Sequence, residues 1–280
     1  MLKYEIDQTF ENLSITEFFE KFHLSKKMIY LLKTNKDVYI NQENKNFEYI
    51  LNSGDILEID ETKYELNNLE IWKQNLEIVY EDSDVLIVNK PNNVLVHPDG
   101  VTNKTLSNIV SFYYQKNHIE RSVRHIHRLD YQTSGMVIFA KSFLVNSFLS
   151  WQLENNLIEK KYLALVEKFG YKNLEISSKI AMDRHVSNKF RVSDKGKEAL
   201  SVVKYLKDIN NYKLLEVKIL TGRTHQIRVH LASIGSAIIG DDIYGSKIDS
   251  DMFLHHYKVS FIHPRDFERK EYVCKKEFKF

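Results

Sequence analysis

The segment Arg124-His125-Ile126-His127-Arg128-Leu129-Asp130-Tyr131-Gln132-Thr133-Ser134-Gly135 runs straight into the apolar stretch Met136-Val137-Ile138-Phe139-Ala140. No other feature restricts the fold as much. The Thr-Ser-Gly turn feeds a segment that reads as a buried strand, and an acid sits between that turn and a cationic cluster. A carboxylate at a strand–turn junction is both exposed and rigidly held, which is the placement a reactive group needs. Alone, Arg-Leu-Asp is a short motif, and Asp130 capping the turn or pairing with Arg128 is the commoner outcome. The remaining stretches decide between the two.

The chain has 280 residues, 43% hydrophobic and 28% charged, the balance of an ordinary globular protein. That length allows one large domain, or a large one with a small one. With Gly 9 and Pro 3, no linker announces itself. No apolar run approaches the roughly 18 residues of a membrane span. The acid-bearing start of the chain is not expected to be a signal peptide. The single cysteine, Cys274, excludes an internal disulfide and points to the cytoplasm.

The net charge of +2 hides a division. Residues 1–70 carry 8 lysines against 14 acids, a net of −6, and the rest carries 32 cations against 24 acids, a net of +8. All nine arginines lie in the second part, and Arg121, Arg124 and Arg128 cluster beside Asp130. In a chain that otherwise prefers lysine, arginine suggests contacts to phosphate, carboxylate or bases. This is a polyanion-facing distribution, with a solvated basic face as the plain alternative.

In chain order, residues 1–12 read as an edge strand or loose arm. Ser14 with Glu17 makes a capping box, and a second helix starts at Ser25. Strands come next at Val38–Asn41 and Gly54–Ile59, and residues 61–74 form a polar connector. Leu76–Tyr80 and Val85–Pro91 read as paired strands, and Thr105–Tyr114 and Phe143–Leu153 as helices. Strands return at Glu159–Glu167, Ser201–Leu206 and Tyr212–Ile219. In Thr221-Gly222-Arg223-Thr224-His225-Gln226-Ile227-Arg228, a turn presents Arg223 at the start of a helix whose Ile227 and Leu231 share a face.

His127-Arg128-Leu129-Asp130 with Thr133-Ser134-Gly135 resembles the signature of the RluA-type pseudouridine synthases, RNA-modifying enzymes that isomerise uridine in place. Asn89-Lys90-Pro91, the Lys-x-Tyr-x-Ala-x-Val element around Tyr162, Thr221–Arg228 and Gly240-Asp241-Asp242-Ile243-Tyr244-Gly245 are similar to further family motifs, in the family's order. Leu254-His255-His256 corresponds to a Leu-His-Ala element with His256 in place of the small residue. Residues 13–60 resemble an S-four-like RNA-binding module, although that module is usually basic.

The resemblance implies an α+β fold: an N-terminal module over 1–65, then a catalytic domain over 75–280 with a mixed, mostly antiparallel bent sheet flanked by helices. It makes Asp130 the essential catalytic residue, with Arg223 pairing to it and Tyr162 packing against the target base. Arg128 occupies the place vacated by the turned-out base, and Leu254 is a further RNA contact. RNA is the expected partner, ribosomal or transfer, and the chain is expected to act as a monomer, without membrane, metal or cofactor.

The chemistry agrees with these residue types. Breaking the bond between uracil and ribose develops positive charge on the sugar, for which a nearby carboxylate is expected. A paired guanidinium favours the charged carboxylate and fixes its rotamer. A tyrosine against the uracil excludes water and could receive the proton from ring carbon 5. A uridine in structured RNA must be turned out of its stack to be reached. Two rivals stand beside this: a metal-dependent phosphoesterase using His125, His127, Asp130 and His225, and an inactive RNA-binding protein of the same fold.

Overall fold

A computed structural model describes residues 1–66, 68–276 and 278. The first layer contains β1 (Leu2–Glu5), α1 (Ile15–Lys21), α2 (Lys26–Asn35), β2 (Val38–Ile40) and β3 (Ile56–Ile59), with the strands ordered β1-β3-β2 in an antiparallel sheet. Local chemistry sets these boundaries. Ser14 accepts from the Glu17 amide while Glu17 caps the Ser14 backbone, and Ser25 accepts from the Met28 amide. The second helix ends on Lys36, in the left-handed conformation at φ 57°.

The first layer packs tightly on the second. Its core of Tyr4, Phe10, Phe18 and Phe22 continues into Phe143, Leu144 and Phe148. The Phe22 and Phe148 rings lie 5.8 Å apart, and His23 stacks on Trp151 at 3.7 Å. Two of the arginines placed by sequence beside Asp130 are used here. Arg121 pairs with Glu61 and Arg124 with Glu65, both half-buried, so the polyanion-facing cluster reduces to Arg128. The polar connector supplies those two acids. Ionic partners nearly sixty residues away have no signature in the arginine-rich stretch itself.

The second layer is a ten-stranded sheet. Its chain order is β4 (Ile78–Glu81), β5 (Val85–Lys90), α3 (Leu106–Lys116), β6 (Arg124–His125), β7 (Ser134–Ala140), α4 (Phe143–Glu154), β8 (Glu159–Val166), β9 (Asn173–Ser177), β10 (Ile180–Met182), β11 (Phe190–Val192), β12 (Leu200–Ile209), β13 (Tyr212–Ile219), α5 (Gln226–Ser233), β14 (Leu254–Ile262) and β15 (Arg269–Val273). The spatial order is β4-β5-β7-β14-β8-β13-β12-β9, with β6 beside β7 and β15 beside β14, while β10 and β11 form a separate hairpin. Every pairing is antiparallel except β7 with β14, so the sheet is mixed and mostly antiparallel, as expected.

Alternation along β5 divides the core. Val85 and Ile87 face α4 residues Val145 and Leu149. Leu86 and Val88 face α3 and α5 through Leu106, Val110, Ile227 and Leu231. The fully buried run predicted at Met136–Ala140 is β7, between β5 and β14. At its start Gly135 has φ +117°, and a Cβ there would lie 2.4 Å from the His256 carbonyl oxygen. Only glycine allows β7 and β14 to approach so closely.

Helix α4 is held between the two layers, and Ser142 caps it by accepting from the Val145 amide at 3.2 Å. Ser142→Ala is therefore expected to cost about 1 kcal/mol of stability. Urea unfolding should show a lower midpoint at unchanged slope.

Candidate active site

A cleft of about 550 Å³ opens where β8, β14 and α5 meet the loop before β7. All five residues singled out by sequence, Arg128, Asp130, Tyr162, Arg223 and Leu254, line it. They come from four stretches of chain up to 126 residues apart (Arg128 to Leu254), brought together because β7, β8 and β14 are neighbours and α5 comes after the adjoining β13.

Asp130 stands just before β7, in a loop fixed from behind. The Lys90 ammonium, wholly buried, donates to the carbonyls of Pro91 (2.9 Å), Val94 (2.7 Å) and Tyr131 (3.0 Å). Burial lowers its pKa to about 7. Asn92 holds the same loop through the Gln132 carbonyl at 2.6 Å. The Asp130 side chain remains 21% exposed, with Oδ2 at 3.9 Å from both Arg228 Nη1 and His225 Nε2. These are ion-pair separations, longer than hydrogen bonds.

Arg228, and not Arg223, is thus the guanidinium beside Asp130. Arg223 is exposed and donates from Nε to the Glu198 carbonyl at 2.8 Å. The cause is where the helix begins. His225 is left-handed at φ 56°, so α5 starts at Gln226, three residues later than the spacing predicts. The Gln226 side chain closes the turn by accepting from the Arg223 amide (3.0 Å) and the Thr221 hydroxyl (2.8 Å). Arg223 is left on the rim, and Arg228, in the first helical turn, reaches inward.

Arg228 is buried and locked. Its Nε and Nη2 donate to the two Asp241 oxygens at 2.8 Å each, Nη2 also reaches Gln132 Oε1 at 3.2 Å, and its guanidinium lies 5.1 Å over the Tyr244 ring. The Tyr244 hydroxyl is 2.9 Å from His225 Nδ1 and accepts from the Phe190 amide at 2.9 Å. The stretches 221–232 and 240–245 therefore interlock as one support for the Asp130 carboxylate. Arg228, His225, Asp241 and Tyr244 had no assigned place in that support by sequence. The available signal was the acid and tyrosine spaced three apart after Gly240, at φ +78°.

Tyr162 is central in β8, paired with Val217 on one side and His256 on the other. Its ring lies against His256 at 4.7 Å and 23°, so the histidine in place of the small residue backs the tyrosine. Burial and the Asp130 charge push the Tyr162 phenol well above its usual range, and it stays protonated at neutral pH. Burial holds the His256 imidazole down to about 3 and His125 to about 4, so both are neutral. Leu254 is buried in β14, opposite Ala164 of β8. Arg128 is exposed, with no ion-pair partner among the described residues.

The histidines of the metal reading do not converge. His125 stacks on His97 at 4.9 Å, His127 meets His256 edge-on at 5.4 Å, and among the described residues no three His, Cys, Asp or Glu form a metal-holding group.

Residues 84–233, over half of the chain, match the sequence profile described as RNA pseudouridylate synthase. The chain belongs to that family. Residues 2–57 of this pseudouridine synthase match the RluD ribosomal pseudouridine synthase N-terminal domain. The synthase is 38% identical to the uncharacterized RNA pseudouridine synthase YhcT of Bacillus subtilis, across 86% of this chain and 82% of that protein. It is 36% identical to ribosomal large subunit pseudouridine synthase D of Borreliella burgdorferi, across 73% of this chain and 66% of that protein. The solved structure of human RNA Pseudouridylate Synthase Domain Containing 1 superposes with a TM-score of 0.61 at 26% identity, covering 72% of this chain and 84% of that one. Among the described residues, no helix of the synthase is long and apolar enough to cross a membrane.

Proposed function

We propose that this synthase isomerises particular uridines of structured ribosomal or transfer RNA, with Asp130 as the essential carboxylate. The observation that carries this is the convergence of Arg128, Asp130, Tyr162 and Leu254 on one cleft, with Arg228 and His225 each 3.9 Å from the same Asp130 oxygen. The target base lies between Tyr162 and Leu254, where two buried side chains exclude water from the intermediate. Asp130 meets the positive charge that develops on the ribose. Tyr162, protonated at neutral pH, acts as a packing surface for the uracil and does not arrive as a base. Arg128, free at the mouth, takes the position vacated by the base. Arg223, on the rim, contacts the RNA backbone, and Arg228 aligns Asp130.

Ribosomal RNA is favoured by the likeness to the Borreliella relative, which is named as a large-subunit synthase. Residues 1–65 act as a module rigidly docked on the catalytic domain of 75–280, and the chain works as a monomer in the cytoplasm. Pseudouridine mapped across all cellular RNA, with and without this gene, tests the reading. One or a few sites should vanish on deletion and return with the wild-type gene. An unchanged map overturns it.

Because no metal-holding group converges on the cleft among the described residues, excess chelator is expected to leave turnover of a short stem-loop within twofold. Activity lost to chelator and restored by zinc would instead favour the histidine-centred reading.

A further inference from the structure

Besides the exposed Arg128, a second cation of the cleft, partly buried, has no partner among the described residues. Along β8, Glu159 pairs with Lys218 at 3.0 Å and Lys161 with Glu216 at 3.5 Å, both across to β13. Lys160 lies between them, and strand alternation sends its side chain to the opposite face, the one that carries Tyr162. There it lines the cleft, and its Nζ sits 3.8 Å from where a Cβ on Gly222 would be, against the Thr221–Arg223 turn. No hydrogen bond or ion pair reaches that ammonium among the described residues. Burial alone lowers its pKa to about 8, with no acid close enough to offset the effect.

Lys160 is partly buried, with its ammonium at the cleft wall and no counter-charge, which is where a ligand that supplies the charge would be held. Two residues of strand separate it from Tyr162 by about 6.6 Å, so a nucleotide whose base lies on Tyr162 brings its own backbone to this wall. We propose that Lys160 is a phosphate subsite of the cleft, binding a backbone phosphate that flanks the uridine seated on Tyr162. The proposal rests on the reading of the cleft as an RNA uridine site, and adds an anion contact to it.

The test uses the full chain and two probes, a twelve-nucleotide oligouridylate and the stem-loop around the site found by RNA mapping. In the wild type, saturating oligouridylate should slow acylation of Lys160 by acetic anhydride at least fivefold, read by mass spectrometry. In Lys160→Met, affinity at low salt should fall five- to tenfold. The slope of log affinity against log salt should become shallower by about 0.7, the share of one phosphate contact on a single strand. Lys160→Arg should restore the slope. The loss should fall on Kd more than on the single-turnover rate with saturating RNA, and the thermal midpoint of Lys160→Met should not drop, which separates binding from a structural role. An unchanged slope, or Lys160 acylated equally fast with and without RNA, overturns the subsite. If that happens while the stem-loop is still isomerised, only the subsite fails. If Lys160 is protected but no uridine is isomerised by the wild type, the reaction assigned to the cleft fails and the anion site stands.

Discussion

Asp130→Asn is expected to lower the single-turnover rate at least ~10⁴-fold, about 5.5 kcal/mol of transition-state stabilisation, with RNA affinity equal or higher. The amide keeps the shape of the side chain and loses the charge that faces the ribose. The surroundings should tolerate the change. Arg228 retains both bonds to Asp241, Lys90 holds the Tyr131 carbonyl through the backbone, and neither contact involves the Asp130 carboxylate. Removing a negative charge from a surface that meets phosphates favours binding, so Kd should fall or stay within threefold. Rapid-quench turnover of a labelled stem-loop, together with a binding isotherm, reads both quantities. Residual activity above one per cent of wild type would exclude the carboxylate as the essential group.

How far the sequence disclosed this site depended on the range of the interactions involved. Helix starts at Ser14, Ser25 and Ser142 were legible because a cap is written within four residues, the one at Thr105 because of the apolar spacing that follows it, and the structure has helices beginning directly after all four. The strand at Met136–Ala140 was legible because burial on both faces leaves a continuous apolar run. Charge was misleading. The net of −6 over residues 1–70 set this layer apart from the usually basic RNA-binding module it resembles and argued against RNA affinity there. Yet Glu61 and Glu65 point into the second layer toward Arg121 and Arg124, and Asp37 is held by Lys63 and Tyr64. Acids used this way add little outward field, and deleting the layer would bare Phe143 and Phe148. The order of Arg223 and Arg228 was hidden for a different reason. A left-handed residue at His225 leaves no mark in hydrophobic spacing, and a delay of three residues carries each side chain most of a turn around the helix axis.

The late start of α5 gives the two arginines of one motif different work. Arg228→Lys is expected to lower the single-turnover rate about 100-fold, roughly 2.7 kcal/mol, while Arg223→Lys lowers it less than threefold. Arg228 spans both Asp241 oxygens at 2.8 Å and still directs Nη1 toward Asp130 at 3.9 Å. A lysine ammonium keeps the charge, but as a point donor it satisfies Asp241 or approaches Asp130, and does not do both. Misplacing a catalytic carboxylate by a fraction of an ångström is enough for such a loss. Kd should move little, since Arg228 is buried behind the carboxylate and does not reach the RNA. Arg223, exposed and tied among the described residues only to a backbone carbonyl, should show the reverse pattern: an intact rate at saturating RNA and a weaker salt dependence of binding. Loss of the buried pair could unfold Arg228→Lys, so Asp241→Asn provides an independent route, leaving the guanidinium in place but releasing it. It should slow turnover at least tenfold, with the thermal midpoint recorded alongside for both variants. If instead Arg223→Lys loses tenfold or more at saturating RNA and Arg228→Lys keeps its rate, the guanidinium that aligns Asp130 is Arg223, brought inward when RNA binds.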